Sequence, residues 1–440
     1  MNIAWFTPFS RKSAIGRCSA GIVQELSKLA EVDVLCFDSE ETHSANVLIR
    51  KFTSPSAVTE DILSLYDVVI YNFGNYLPFH GDIIEVSRRH PGIAILHDFV
   101  MHHLFAGYYL EHLKSEPLYV QAMERLYGRR GKRAAVDSLS SAGPPVWETD
   151  AVVHYPMFEL VTGTARGVIT HSDFLKKHVE GSFTGPVRKI SLPYTIDRQS
   201  PLMSRQDLGL DDKDLLIVTV GHANRNKRIT STIQAIGQLD RSHNPIQYVI
   251  AGPCAPDYKG DLKSMIAQNG LEGVVRIAGE VSDQELRSYL SHADICVNLR
   301  WPAIEGASAS AIEEMLFGKP LIVGNVGFYA ELPDNSVVRI DPQSVEQLRD
   351  ALCRLASSPE ERARLGAAAR EYAEREFRSD SYARQLIEFL GEVQGARPLL
   401  DLTDKLARQL DHMGISRDMR IVDDLAGELD TLFGGAESTT

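Results

Sequence analysis

Short apolar runs alternating with amphipathic stretches organise the first half of the chain. Residues 2–7 (Asn-Ile-Ala-Trp-Phe-Thr) form one run, a Pro/Ser/Gly loop follows, and helical spacing extends from Gly21 to Leu29. Further runs lie at Val32–Phe37, Asp67–Tyr71, Ile93–Leu96, Gly167–Thr170 and Arg188–Leu192. They are short and rich in β-branched residues, which predicts strands, and their alternation with helices predicts parallel βαβ units. Residues 98–165 interrupt the rhythm with a long helical stretch rich in aromatic and basic residues. Pro193–Asp214 is polar and turn-rich, as an interdomain linker would be.

A second alternation opens at Leu215–Val220. It continues through Gln247–Ala251, Val274–Ala278, Ile295–Leu299, Pro320–Val323 and Val337–Ile340. Helices over Val345–Glu376 and Ser379–Val393 follow, and the tail beyond Gly395 repeats helical spacing at Leu400–His412 and Met419–Phe433. The pattern predicts an α/β protein of two Rossmann-like, doubly wound domains facing a cleft, with a C-terminal helical extension. The segments are 1–195, 196–378, a helix at 379–395, and an extension at 396–440. In such sheets ligands bind outside the carboxyl ends of the strands, which singles out the loops after Thr7, Leu96, Val220 and Leu299.

Composition narrows the classes. A chain of 440 residues, 44% hydrophobic and 24% charged, is globular rather than disordered or fibrous. No apolar run reaches the roughly 20 residues of a membrane span. The N-terminus lacks the basic and apolar regions of a secretory signal. Five cysteines, none in a Cys-x-x-Cys pair, read as free thiols of a reducing cytoplasm. The net charge of −13 argues against nucleic acid as a partner. It divides into about −2 for residues 1–200 and about −11 for the rest.

The strongest chemical signal is Glu305-Gly306-Ala307-Ser308-Ala309-Ser310-Ala311-Ile312-Glu313, followed by Glu314-Met315-Leu316-Phe317-Gly318. Small residues opening a helix let an anionic ligand approach free backbone N–H groups. The two carboxylates, eight apart, would lie a little over two turns apart along one side of a helix. Spacing alone fits a capped helix with solvated acids equally well. The second signal, Gly221-His222-Ala223-Asn224-Arg225-Asn226-Lys227-Arg228, is a glycine-opened basic loop between a strand and a helix, suited to a diphosphate. Lys227 would supply a point charge and Arg225 or Arg228 a planar fork. The third is His97-Asp98 at the end of a strand, fit for acid/base work or hydroxyl binding; consecutive His102 and His103 point apart and make a poor metal pair. A loop with Gly16 follows the first strand, but Gly-x-Gly-x-x-Gly is missing, which opposes a dinucleotide cofactor. Arg125, Arg129, Arg130, Lys132 and Arg133 read first as a solvated helix face and second as a surface for an anionic acceptor or membrane.

Together these elements resemble the retaining GT-B glycosyltransferases of family 4, the glycosyl transferases group 1, over roughly residues 1–393. The specific part is Glu-x7-Glu with Met315 and Gly318, plus Gly221 and Lys227 six apart. Softer matches are Gly279, Ala293-Asp294, His97, Gly74-Asn75 and Gly327 with Glu331-Leu332-Pro333. The resemblance implies a nucleotide-sugar donor (UDP- or GDP-linked), a glycan or lipid-linked acceptor, and retention at the anomeric carbon. Glu313 would hold the ribose. Glu305, with the N–H groups of Gly306, Ala307 and Ser308, would hold the sugar or its phosphate. Lys227 would stabilise the leaving diphosphate in place of a metal, so no metal or other cofactor is expected. His97 would contact the sugar from the opposite domain, Gly16 would line the phosphate, and Arg276–Val281, with Ile277, would frame the base. The helix at 379–395 would cross back to the first domain. Two departures stand out: His222 replaces the usual arginine, and Gly-Ala-Ser follows Glu305 where an aromatic is common. Peripheral attachment to the inner membrane face and a homodimer through the extension are compatible with this reading. Surface polysaccharide or glycoconjugate synthesis would be the setting. The alternatives are a non-catalytic nucleotide-sugar or glycan binder and another GT-B enzyme such as a sugar-nucleotide epimerase.

Overall fold

A computed structural model describes the chain except residues 141–142, 241–244, 416–420, 423, 426 and 429–440. Seven parallel strands build the first sheet: β1 (Asn2–Phe6), β2 (Glu31–Cys36), β3 (Leu48–Lys51), β4 (Val68–Phe73), β5 (Ile93–Leu96), β6 (Gly167–Thr170) and β7 (Val187–Lys189), in the order β3-β2-β1-β4-β5-β6-β7. Six more, β8 (Leu215–Val220), β9 (Ile246–Ala251), β10 (Val275–Gly279), β11 (Ile295–Asn298), β12 (Leu321–Gly324) and β13 (Val338–Ile340), form the second sheet in the order β10-β9-β8-β11-β12-β13. Both orders reverse direction next to the first strand, so each sheet has a switch point, between β1 and β4 and between β8 and β11.

The apolar runs follow from burial on both faces. In β8 every residue is buried. Leu216 and Val218 join the core on one face, and Leu215 and Ile217 join the core on the other. In β1, Ile3 and Trp5 alternate with Ala4 and Phe6 in the same way. Trp5 satisfies its indole N–H on Ser19 Oγ at 3.2 Å.

Three elements differ from the sequence reading. The first helix runs Ala14–Leu26 rather than from Gly21, because Ser13 caps it by accepting from Gly16 N. Strand β3 was not expected; it is a half-exposed edge strand, Leu-Ile-Arg-Lys, without an apolar run. The helix beginning at Ser379 does not stop at 395: it continues through Pro398 to His412, and Gly414, with φ +72°, lies beyond its end. Its first half crosses to the first domain, where Tyr382, Leu386, Phe389 and Leu390 pack against the face carrying Ile3, Trp5 and Ile93. Each such burial contributes about 1.5–3 kcal/mol. The expected helix at Met419–Phe433 falls largely outside the described residues. Within residues 98–165, the helix Glu116–Leu139 is kinked at Gly128 (φ 63°, ψ −149°).

Candidate active site

The carboxyl ends of β8 and β11 meet at the second switch point, and the basic loop and the acidic segment meet there too. Gly221 has φ +86°, and a Cβ placed on it would sit 2.9 Å from Lys227 Nζ, so glycine is required on both counts. Lys227 is buried, with its ammonium donating to the carbonyl of Val220. Burial, then the neighbouring Arg300, holds its pKa well below the ordinary lysine range, while Glu314 and Glu305 act in the opposite direction. Lys227 and Glu305 therefore share one electrostatic neighbourhood.

Glu305 precedes the helix Ala309–Leu316 and is not part of it. The expected two carboxylates along one helix side are thus separated into two environments. Glu305 Oε1 takes Arg300 Nε at 2.7 Å and the Tyr329 hydroxyl at 2.6 Å. Arg300 also donates from Nη1 to Asn298 Oδ1 and Leu299 O, both at 2.9 Å. Asn298 in turn donates to Glu314 Oε2 at 2.9 Å. A hydrogen-bonded chain thus joins the fully buried Glu314 to Glu305 at the cleft. Glu313, also buried, accepts from Tyr194 near Arg17 of the first domain, and burial raises its pKa.

The first domain closes on this segment. Phe99 and Val100 N–H groups both donate to Ile304 O at 2.9 Å, Gly306 N–H donates to His97 O at 2.8 Å, and Asp98 and Glu305 form an isolated antiparallel bridge. Arg17 pairs with Asp283 at 3.0 Å, and Glu331 caps the start of the helix Asp173–Glu180 by accepting from Asp173 N and Phe174 N.

The His97 ring is held within the first domain through Nε2. Asn72 Nδ2 donates to Phe6 O, leaving Asn72 Oδ1 to accept from His97 Nε2 at 3.0 Å, and the ring packs on His171 at 4.8 Å. What crosses the cleft from His97 is its carbonyl. That carbonyl takes the Gly306 N–H, while the Ala307 and Ser308 N–H groups find no acceptor among the described residues. Gly16 is buried against Pro8, its N–H given to Ser13 Oγ at 3.0 Å. His222, Arg225 and Arg228 line a cavity whose lining does not include Lys227. Ile277 lies half-buried on β10, two strands from β8. Arg300, Asn298, Tyr329, Glu314 and Tyr194 were not anticipated. Arg300 alone had a signal, its place just after a strand end. Among the described residues no group of three or more His, Cys, Asp or Glu converges as a metal site.

Asp98 accepts from Asn75 N at 2.8 Å, and desolvation, reinforced by Glu305, pushes its pKa up to about 7. The unfolded chain loses this proton near 3.9. Its stabilisation is therefore complete below about pH 4, declines as pH rises, and is gone above about 7. His80 and His171, lowered by burial to about 4, act in the opposite sense: their stabilisation is lost as pH falls from about 6.5 through 4. Asp98→Asn keeps the acceptor for Asn75 and removes the titration. Relative to the parent, the variant should gain stability between pH 4 and 7 in denaturant titrations at stepped pH. An unchanged difference across that range would refute the assignment.

Residues 203–372 match the profile of the family described as glycosyl transferases group 1. A stretch of 166 residues is 30% identical to the MMP alpha-(1->4)-mannosyltransferase of Mycolicibacterium hassiacum, covering 37% of this chain and 39% of that protein. Another of 315 residues is 25% identical to an uncharacterized glycosyltransferase of Methanocaldococcus jannaschii, covering 67% and 75%. The chain thus spans about two-fifths of the first relative and three-quarters of the second. The crystal structure of Anabaena HepE in complex with UDP superposes with a TM-score of 0.62 at 16% identity, covering 89% of this chain and all of that one. The chain has a GT-B fold, and its residues 203–372 are similar to the glycosyl transferases group 1 family.

Proposed function

We propose that the protein transfers a sugar from a nucleoside-diphosphate sugar to an acceptor hydroxyl, with retention at the anomeric carbon and without a metal. The observation that carries the reading is the convergence of Lys227 and Glu305 at the β8/β11 switch point, with Asp98 facing them from the first domain. The group 1 profile and the UDP bound by the Anabaena structure support a nucleotide donor.

The chemistry asks for a diphosphate to leave and a hydroxyl to enter on the same face. Lys227 would supply the cationic charge that the departing diphosphate needs, and the Ala307 and Ser308 amides would add donors at the helix start. Glu305, clamped by Arg300 and Tyr329, would fix the sugar rather than attack it. The departing phosphate oxygen would take the acceptor proton, so the work of the protein is positioning and charge stabilisation. Glu313 would hold the ribose. No described helix is long and apolar enough to cross a membrane. We place the reaction in the cytoplasm, with the exposed Arg125, Arg129 and Arg130 of the helix Glu116–Leu139 directed to an anionic membrane face.

Incubation with UDP- and GDP-sugars should release nucleoside diphosphate, and proton NMR of the first product should show the donor's anomeric configuration. Binding without release would leave a carrier; inversion would overturn the proposed stereochemistry. Glu313→Ala should weaken nucleoside diphosphate binding by about tenfold in calorimetry, the loss expected for a charged hydrogen-bond acceptor. Equal affinity would remove the ribose role.

A further inference from the structure

The short turn Gly327–Glu331 of the second domain is gripped on two sides. Its last residue, Glu331, reaches the first domain: Oε2 accepts from Asp173 N at 3.0 Å and Oε1 from Phe174 N at 2.5 Å. These are the first two amides of the helix Asp173–Glu180, and the third, Leu175 N, goes to the helix's own cap, Ser172 Oγ, at 3.3 Å. Such amides have no partner within their helix and form its positive end, so a carboxylate from the other domain is a strong hold. Lys189, 2.8 Å from Asp173 and 3.7 Å from Glu331, offsets the two acids. Two residues before Glu331, the fully buried Tyr329 gives its hydroxyl to Glu305 Oε1 at 2.6 Å. At three residues per turn, positions 329 and 331 point roughly 120° apart, so one turn serves both sides.

The same turn presses on the segment that carries Glu305. Gly327 has φ +52°, and a Cβ placed on it would stand 2.8 Å from Ala303 Cβ and 3.7 Å from the Phe174 ring. The glycine thus lies between the first-domain helix and the loop leading to Glu305, with space for no side chain. Phe174 in turn meets Phe99 edge-on at 5.1 Å, and Phe99 N–H donates to Ile304 O. Parts packed this closely pass on a displacement rather than absorb it.

We infer that Glu331 is a positioning residue: by holding the helix Asp173–Glu180 it sets Tyr329, and through that hydroxyl the carboxylate of Glu305. Docking of the first domain and placement of the transferred sugar are then one event. The inference rests on the transferase reading and adds to it the group that makes Glu305 answer to the first domain.

The test compares four variants of the full chain in nucleoside diphosphate release, in calorimetry with UDP and GDP, and in amide hydrogen exchange over residues 303–306. Glu331→Ala should lower kcat by about tenfold, the equivalent of one hydrogen bond, and leave donor KM and nucleoside diphosphate affinity at the parental values. Tyr329→Phe should lower kcat by a similar factor, and the double variant should be no slower than either single one, because both cut the same path. Exchange of the Gly306 amide should quicken by about tenfold in Glu331→Ala, as its bond to His97 O is released more often. Ser172→Ala, which strips the same helix of its own cap, should lower the unfolding midpoint and leave kcat and exchange at 303–306 unchanged. Arg339 donates to Ala330 O and Leu332 O, and if it held the turn unaided, loss of Glu331 would change nothing at Glu305. The inference is therefore overturned if Glu331→Ala keeps the kcat of an active parent or the parental exchange, if the two losses multiply, or if Ser172→Ala reproduces them. Faster exchange in Glu331→Ala, with a parent that turns over no nucleotide-sugar, would support the coupling and refute the transferase reading.

Discussion

Replacing Lys227 with alanine is expected to lower turnover by ~10²–10³-fold, corresponding to about 2.7–4 kcal/mol of transition-state stabilisation from one preorganised donor. The ammonium lies buried at the mouth of the helix that starts at Ile229, inside reach of Glu305 and Glu314. Desolvation disfavours its charge, and an arriving diphosphate would restore the balance by adding anionic oxygens. The interaction therefore strengthens as negative charge builds on the leaving group, and the loss should fall on kcat more than on KM. Arginine should not rescue the variant, because a Cβ on Gly221 would already stand 2.9 Å from Nζ and a guanidinium is bulkier than an ammonium. Fold integrity should survive, since burial pushes the pKa of the neighbouring Glu314 upward and lets it stay neutral. Nucleoside diphosphate release under saturating donor measures the effect; a parental rate would exclude the role.

Replacing Arg300 with methionine should cost about 3–5 kcal/mol of folding stability, the usual consequence of stripping one partner from a buried ion pair. The Arg300 and Glu305 side chains are 9% and 14% exposed. Removing the guanidinium would leave Glu305 with Tyr329 alone, and would take a donor from Asn298 Oδ1 and Leu299 O. Lysine offers one ammonium where three acceptors at different angles need a planar fork, so Arg300→Lys should recover little. Pairing Arg300→Met with Glu305→Gln should restore part of the stability, because the uncompensated charge is then gone. Urea unfolding midpoints of the four proteins close the cycle. A single-variant loss below about 1 kcal/mol would mean the pair behaves like a surface bridge.

Which of these residues could be read from the sequence follows from what a sequence encodes. Strands buried on both faces announce themselves as unbroken apolar runs, so both sheets were legible apart from β3, whose arginine and lysine conceal an edge strand. The doubly wound order then points to the loops after β1, β5, β8 and β11, and Lys227, Asp98 and Glu305 occupy three of them. Orientation is not encoded in this way. His97 sits at a strand end as expected, and its ring is set by Asn72, 25 residues earlier, whose fixed amide oxygen takes Nε2. Tyr329 reaches Glu305 from 24 residues away, and nothing local marks it. Arg225 and Arg228 look equivalent to Lys227 along the chain. The short helical turn Arg225–Lys227 and the left-handed Arg228 send them to a different wall, at a strain of ~1–2 kcal/mol for Arg228.

The backbone bonds between residues 97–100 and 304–306 have a kinetic meaning as well as a geometric one. While they are made, the backbone bearing Glu305 is tied to the first domain, so a ligand that needs the lobes apart enters only when these bonds are broken. Apparent affinity then equals the intrinsic affinity multiplied by the fraction of time spent ajar. Association at high ligand concentration levels off at the speed of that unlatching instead of climbing with encounter frequency.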